Sequence, residues 1–169
     1  MKQSIKVLTE LDYKTRCSQT KMPKEYVPKK SFSDNTANGL EKCIVLWCKL
    51  NGWLCERVKN TGRYIDESKI VTDFMGNTKR IGTGKFIKGT GTNGTADCRA
   101  IIKGRSISFE VKIGRDVQSD AQKEYQLNVE KSGGLYFIVK DFDNFIEIYK
   151  GIIEGKYEKI QNNNNKQTN

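Results

Sequence analysis

The sequence predicts a mixed α/β fold in which helices flank a small central β-sheet. Residues 37–51 place apolar side chains at helical spacing, whereas residues 96–113 alternate apolar and polar side chains as strands do. Residues 135–140 form the continuous apolar run of a buried parallel strand. A helix over 119–132 would join the last two strands, and such a strand–helix–strand unit implies a right-handed crossover.

The remaining elements follow from shorter signals. Gly52 ends the first helix, and residues 53–59 suit a strand. Residues 60–94 are rich in Gly, Thr, Asn and Lys and predict an inserted hairpin with strand-like pieces at 69–74 and 85–88. Asp141 can cap a final helix that runs to about residue 149. The predicted core therefore has the order αβββαβ, with one hairpin inserted and one helix after it.

The two ends differ from this core in composition. Residues 1–34 predict a basic extension with one short ordered piece, because they hold both prolines and because residues 1–33 carry +5 of the net charge of +10. Residues 35–160 form the single domain, and the Asn-rich tail at 161–169 is predicted to be disordered.

Composition excludes several kinds of chemistry. The chain has no histidine, and its five cysteines include no CxxC pair. Ser–His–Asp catalysis, Cys–His catalysis and imidazole metal sites are therefore excluded. Carboxylates, lysines and hydroxyls remain, and they would bind a metal through oxygen, which favours Mg²⁺ or Mn²⁺. The odd number of cysteines predicts reduced, mostly buried thiols.

The charge indicates the kind of partner. A net charge of +10 favours a polyanion, and nucleic acid is preferred because the sequence shows no amphipathic membrane helix. No apolar run is long enough to span a membrane, and the N-terminus lacks the apolar segment of a secretory signal. These features predict a cytoplasmic protein.

The strand pair around Lys103 and Gly104 carries the candidate site. A two-residue hairpin loop at this pair places Cys98 opposite Phe109 and Asp97 opposite Glu110, with the apolar residues together on one face. A four-residue loop would keep the same faces and place Asp97 opposite Lys112, whereas a three-residue loop would oppose polar and apolar residues and is disfavoured.

Two carboxylates directly opposite each other destabilise a strand pair unless something neutralises them. A divalent cation between Asp97 and Glu110 would do so, with the backbone carbonyl of Val111 and waters completing its shell. Lys112 lies on the same face and could position a metal-activated water or stabilise the transition state. This combination predicts phosphodiester hydrolysis.

Several segments in this order resemble a known family. Residues 94–97 (GTAD), 109–112 (FEVK), 119–122 (SDAQ) and 133–134 (GG) are similar to the motifs of the VRR-NUC family. That family belongs to the PD-(D/E)XK superfamily, which includes Holliday junction resolvases and restriction endonucleases. The resemblance covers roughly residues 38–149, with Ala96 in place of the proline of the P-D motif.

The resemblance implies a restriction-endonuclease-like core and particular roles. Asp97, Glu110 and Lys112 match the catalytic core, and Glu41 matches a helix carboxylate that completes the metal site directly or through water. Gln122 matches a helix residue that approaches both the active site and DNA. Small members of the family resemble dimeric, structure-selective DNA nucleases of phage type that act in repair or recombination, which makes a homodimer the expected assembly.

Some of these residues have simpler explanations. Glu41 could favour the first turn of its helix, and Gln122 could form a capping box with Ser119. Tyr125 fits core packing as well as a role near the site. The candidate DNA-contacting residues are basic or amide side chains beside the motifs: Arg57, Lys59, Asn60, Arg63, Arg99 and Gln122.

Taken together, the sequence predicts a divalent-metal-dependent DNA endonuclease selective for branched or distorted DNA. The alternative is a non-catalytic nucleic-acid-binding module on a nuclease scaffold. Cleavage of RNA is a third possibility, because no residue in the sequence identifies a reader of the 2′-hydroxyl.

Overall fold

The structure is a computed structural model that describes residues 2–59, 62–87, 89 and 91–157. Asn60 and the predicted tail at 161–169 lie outside these residues. The helices are α1 (Gln3–Gln19), α2 (Ala37–Leu50), α3 (Asp120–Lys131) and α4 (Phe142–Ile153), with a short 3-10 helix at Lys24–Tyr26. The strands are β1 (Leu54–Arg57), β2 (Arg63–Ile65), β3 (Lys69–Thr72), β4 (Thr78–Ile81), β5 (Lys85–Ile87), β6 (Cys98–Ile102), β7 (Arg105–Val111) and β8 (Leu135–Val139).

The central sheet has the strand order β1-β6-β7-β8. β6 pairs antiparallel with both β1 and β7, and β7 pairs parallel with β8 across the α3 crossover. Buried apolar side chains of β6 and β7 pack against α1, α2 and α4 on one face, and the other face carries mainly polar side chains, with Ile101 exposed among them. The predicted mixed α/β fold with a central mixed sheet and flanking helices is confirmed.

The predicted register of the central hairpin is also confirmed. Cys98 pairs with Phe109 and Ile102 with Arg105, so Lys103 and Gly104 form a two-residue loop. Both loop residues have positive φ, 52° and 76°, as a type I′ turn requires. This turn matches the right-handed twist of the strands, and it places Asp97 one residue beyond the last pair.

The N-terminal segment is more ordered than its composition predicts. In place of an extension with one short ordered piece, residues Gln3–Gln19 form a 17-residue helix. Ile5 and Leu8 lie in the same core as α2 and α4, and Leu8 has no exposed surface. Two buried apolar side chains one turn apart dock the helix onto the core.

Asp34 ties this segment to the rest of the domain. Its buried carboxylate accepts hydrogen bonds from the Lys2 ammonium, 2.9 Å away, and from the Phe142 amide at the start of α4, 3.0 Å away. Burial opposes ionisation, but these two donors outweigh it and lower the pKa of Asp34. The carboxylate therefore joins the N-terminal Lys2 to the start of α4.

We expect Asp34→Ala to lower the free energy of unfolding by about 1–3 kcal/mol at neutral pH, because the buried Phe142 amide loses its acceptor. Since the folded-state pKa is lowered, the contribution of Asp34 is present above its ordinary pKa of 3.8 and is lost as the pH falls through the folded value. Urea denaturation between neutral and acidic pH measures this difference in the free energy of unfolding, with exposed Asp143→Ala as the control. Equal effects of both variants would contradict the prediction.

The insertion forms two strand pairs where one hairpin was predicted. The strand-like pieces at 69–74 and 85–88 correspond to β3 and β5, but these do not pair with each other. β3 pairs with β4, and β2 pairs with β5 around them. The sequence signal at Thr78–Ile81 and Arg63–Ile65 was too short and too polar to show these partners.

The thiols agree with the expectation of reduced cysteines. All five cysteines are free, and four of them, Cys43, Cys48, Cys55 and Cys98, are buried. Within the described residues, no helix combines the length and apolar character needed to cross a membrane.

Candidate active site

The polar face of β7 faces α3 and carries Glu110, whose surface is 1% exposed. Period-two alternation places Glu110 on this face and Phe109 and Val111 on the core face. Asp97 lies beside it, and its Oδ2 atom accepts a hydrogen bond of 2.8 Å from the Val111 amide. Its own carbonyl accepts a bond of 2.8 Å from the Val58 amide. Asp97 is therefore fixed from two sides next to β7.

Three side chains hold the Glu110 carboxylate. Lys112 Nζ lies 3.0 Å from Oε1, and Gln122 Nε2 donates a hydrogen bond to the same oxygen. Tyr136 Oη donates to Oε2 over 3.3 Å. Lys112 is itself buried and also reaches Asp116 Oδ2 at 3.3 Å. The buried carboxylate and the buried ammonium thus form one hydrogen-bonded unit.

The electrostatics of this unit follow from burial and from Asp97. Burial raises the pKa of Glu110, and the negative charge of Asp97 raises it further, against the lowering effect of Lys112. Burial disfavours the Lys112 ammonium, but its contacts with Glu110 and Asp116 outweigh that effect and raise its pKa. Two carboxylates therefore repel each other beside a lysine that stays charged.

Gln122 combines the two roles that the sequence left open. Its Oε1 accepts a 2.9 Å hydrogen bond from the Ser119 amide, and its own amide donates to Ser119 Oγ, which completes the capping box of α3. Its Nε2 still reaches Glu110. The capping box orients the Gln122 side chain, and the side-chain amide then donates to the Glu110 carboxylate.

Gly94 allows α3 to begin this close to the sheet. Its φ is +75°, and a Cβ atom at this position would lie 2.2 Å from the carbonyl oxygen of Ala121 and 2.7 Å from the Gln122 amide nitrogen. The positive φ and this close approach to α3 both favour glycine at position 94.

Glu41 lies in a separate ion pair. Its Oε2 atom accepts a 2.5 Å hydrogen bond from Arg57 Nε. Among the residues described by the structure, no three acidic or cysteine side chains come together in a group that could hold a metal ion. The structure brings Asp97, Glu110, Lys112 and Gln122 together, and it places Glu41 against Arg57. The metal role of Glu41 stays a prediction.

The other predicted DNA-contacting residues differ in their exposure. Lys59 and Arg63 are exposed, and Arg57 is half-buried against Glu41. Arg99 is exposed on the polar side of β6 and donates a 3.1 Å hydrogen bond to Tyr125 Oη. This bond gives the Tyr125 hydroxyl a partner on the polar side of β6.

Two residues of the site were not predicted. Tyr136 lies in β8 opposite Ser108, on the same face as Glu110, and burial together with Glu110 raises its pKa so that the phenol remains a donor. The signal for it was a single hydroxyl within the apolar run at 135–140, which becomes meaningful only with the parallel register. Asp116 lies four residues after Lys112. No pattern in the sequence marked it as a site residue.

Fold and site together define a mixed α/β protein with a buried acid–lysine centre on the polar face of its sheet. The sequence matches no known protein-family model and no curated protein sequence.

Proposed function

We propose that this chain is a divalent-metal-dependent DNA endonuclease with a restriction-endonuclease-like core, similar to the VRR-NUC branch of the PD-(D/E)XK superfamily. One observation carries the proposal: Asp97 lies beside the buried Glu110–Lys112 pair, so that two carboxylates and an ammonium meet at one place. The αβββαβ order of the central elements agrees with such a core.

The residues at this place fit a hard divalent cation such as Mg²⁺ or Mn²⁺. The donors are carboxylate oxygens of Asp97 and Glu110, with the backbone carbonyl of Val111 as the neighbouring candidate and Glu41 as the more distant one. The charge of Asp97 raises the pKa of Glu110, and a bound cation would relieve that repulsion. When bound, such an ion acidifies a water molecule and neutralises charge on a phosphate.

The side chains around the acids have separate tasks. Lys112 keeps its charge, and its amine provides electrostatic stabilisation for negative charge that builds up on a phosphate in the transition state. Gln122 and Tyr136 hold the two oxygens of Glu110 in place, which fixes the direction in which the carboxylate faces. Positioning of this kind removes much of the entropic cost of hydrolysis.

The substrate in this proposal is DNA that is branched or otherwise distorted. The net charge of +10 supports a polyanionic partner, and the exposed Lys59, Arg63 and Arg99 are available for phosphate contacts. We place the enzyme in the cytoplasm, in a bacterial host if it is phage-encoded, acting in DNA repair or recombination as a homodimer.

A cleavage assay on a panel of DNA structures tests the proposal. Junction, flap, duplex and single-stranded DNA are incubated with the full chain in Mg²⁺, Mn²⁺ or EDTA. We expect cleavage in either metal and none in EDTA, with junctions and flaps cut faster than duplex. Metal-independent binding with no cleavage of any substrate would instead support a non-catalytic nucleic-acid-binding module.

The close approach of Gly94 to the first turn of α3 gives a testable prediction. Gly94→Ala should lower the cleavage rate at least about tenfold, because its Cβ displaces the beginning of α3 and moves Gln122 away from Glu110. Cleavage is measured at a temperature where the variant is fully folded by circular dichroism.

Gly104→Ala is the matched control for this change. Gly104 has almost the same φ, +76°, but a Cβ atom there meets nothing within 4 Å. Both variants carry the strain of an alanine at positive φ, and only Gly94→Ala pushes on α3. Equal cleavage by the two variants would show that the close approach of Gly94 does not shape the site.

A further inference from the structure

The inserted segment contains a two-stranded ribbon that is exposed on both faces. We call residues 69–81 the hairpin arm, since β3 and β4 pair there from Lys69 with Ile81 to Thr72 with Thr78. All residues of both strands are exposed. A two-stranded ribbon is marginally stable by itself, and the exposed side chains of this one are open to a partner.

The tip of the hairpin arm is held in a fixed conformation. The Asp73 carboxylate accepts hydrogen bonds of 2.9 Å from the amides of Met75 and Asn77, and one of 3.1 Å from the Asn77 side chain. Gly76 supplies the positive φ that the turn needs, +83°. The turn presents Phe74, 98% exposed, and Met75, 72% exposed, to solvent.

The strands behind this apolar tip carry positive charge. The pairs Lys69–Ile81 and Val71–Lys79 lie on one face of the ribbon, so lysines and aliphatic side chains alternate along it. On the other face, Arg80 is paired with Asp66. Lysines beside a large apolar tip suit a partner that combines negative charge with flat apolar surfaces, and unstacked DNA bases between phosphates have both.

The root of the insertion lies at the candidate active site. Val58, just before the insertion, donates a 2.8 Å hydrogen bond to the Asp97 carbonyl just after it. The chain therefore leaves the sheet and returns to it beside the carboxylate assigned to metal binding. A second copy of this chain is a poorer partner for the hairpin arm. The chain carries a net charge of +10, so the lysines of the hairpin arm would approach a partner of like sign.

We propose that the hairpin arm selects DNA in which base stacking is already interrupted. Phe74 and Met75 insert at the open step of a junction or flap, where no intact stack has to be broken, and Lys69 and Lys79 contact the flanking phosphates. This proposal rests on the proposed function, because it assigns to the same enzyme the feature that recognises branched substrates.

Binding in EDTA tests the hairpin arm without any cleavage step. The full chain is titrated against a three-way junction with 2-aminopurine at the branch point and against an intact duplex of equal length. We expect tighter binding to the junction and a change in 2-aminopurine fluorescence. Phe74→Ala should abolish the fluorescence change and weaken junction binding by between about 5- and 100-fold, with duplex binding within about twofold of wild type.

Three controls make the outcome specific. Phe74→Trp should keep the preference for the junction, and Tyr26→Ala, which removes another exposed aromatic ring, should leave it unchanged. Lys79→Ala should weaken binding to both substrates and reduce the salt dependence by about one charge. Retention of the junction preference by Phe74→Ala overturns the proposal. A change in oligomeric state of that variant in analytical ultracentrifugation also overturns it, because the tip would then contact a second copy.

The result is independent of catalysis. If wild-type protein cuts no DNA in Mg²⁺ or Mn²⁺ while Phe74→Ala loses the junction preference, the proposed function fails and the role of the hairpin arm is upheld. If wild-type protein cuts DNA while Phe74→Ala keeps the preference, the nuclease stands and the hairpin arm is not its selector.

Discussion

Asp97→Asn is expected to reduce metal-dependent cleavage by between about 100- and 1,000-fold, with DNA binding in EDTA retained. The amide keeps an oxygen that can accept the hydrogen bond of the Val111 amide, so the local backbone should stay in place. What disappears is the negative charge beside Glu110, which in the proposed function attracts the cation. Single-turnover cleavage of a junction, measured in Mg²⁺ at saturating enzyme, gives the rate of this step.

Two comparisons make this result decisive. Asp143→Asn removes an exposed carboxylate on α4 and should cleave at the wild-type rate. Raising the Mg²⁺ concentration should recover part of the activity of Asp97→Asn if the defect is weak metal binding. Cleavage by purified Asp97→Asn at the wild-type rate in low Mg²⁺ would remove Asp97 from the site and the proposed function with it.

The hairpin that carries the site could be predicted because several local signals agree. An X-Gly pair between two apolar runs indicates a two-residue loop, and the apolar side chains share a face in only some registers. Cys98 opposite Phe109 follows from both signals, and it places Asp97 next to Glu110. Local turn chemistry and burial therefore determine this part of the site.

Other features depend on tertiary contacts that a single sequence does not show. The helix Gln3–Gln19 has only Ile5 and Leu8 as its main buried apolar contacts. Two such residues give a weak amphipathic pattern, and the basic composition of the segment therefore led to the prediction of an extension. Tyr136 reaches Glu110 only because β8 pairs in parallel with β7 in one particular register. Arg57 and Glu41, 16 positions apart, meet through the packing of α2 against β1. In each case, distant elements bring together residues that no local pattern connects.

Glu110→Gln is expected to reduce cleavage at least about 100-fold while the protein remains folded. Gln has nearly the shape of Glu, but it lacks the charge that binds a cation and that pairs with Lys112. The same variant is expected to lose cleavage and to gain stability toward unfolding. Burial and Asp97 raise the pKa of Glu110 in the folded protein, which means that folding disfavours its ionised form.

The sign of the stability change follows from this shift. Above the ordinary pKa of 4.5, the unfolded chain has released the proton while the folded protein still holds it, so wild-type stability falls as the pH rises through the folded-state value. Glu110→Gln has no such proton and should gain stability relative to wild type across that window. Urea denaturation of both proteins in EDTA between acidic and neutral pH measures the difference, with exposed Glu147→Gln as the control. If Glu110→Gln loses cleavage and gains stability as the pH rises, Glu110 serves the chemistry at a cost to the stability of the fold. If the variant instead loses stability, and more so at higher pH, the ion pair between Glu110 and Lys112 is mainly structural.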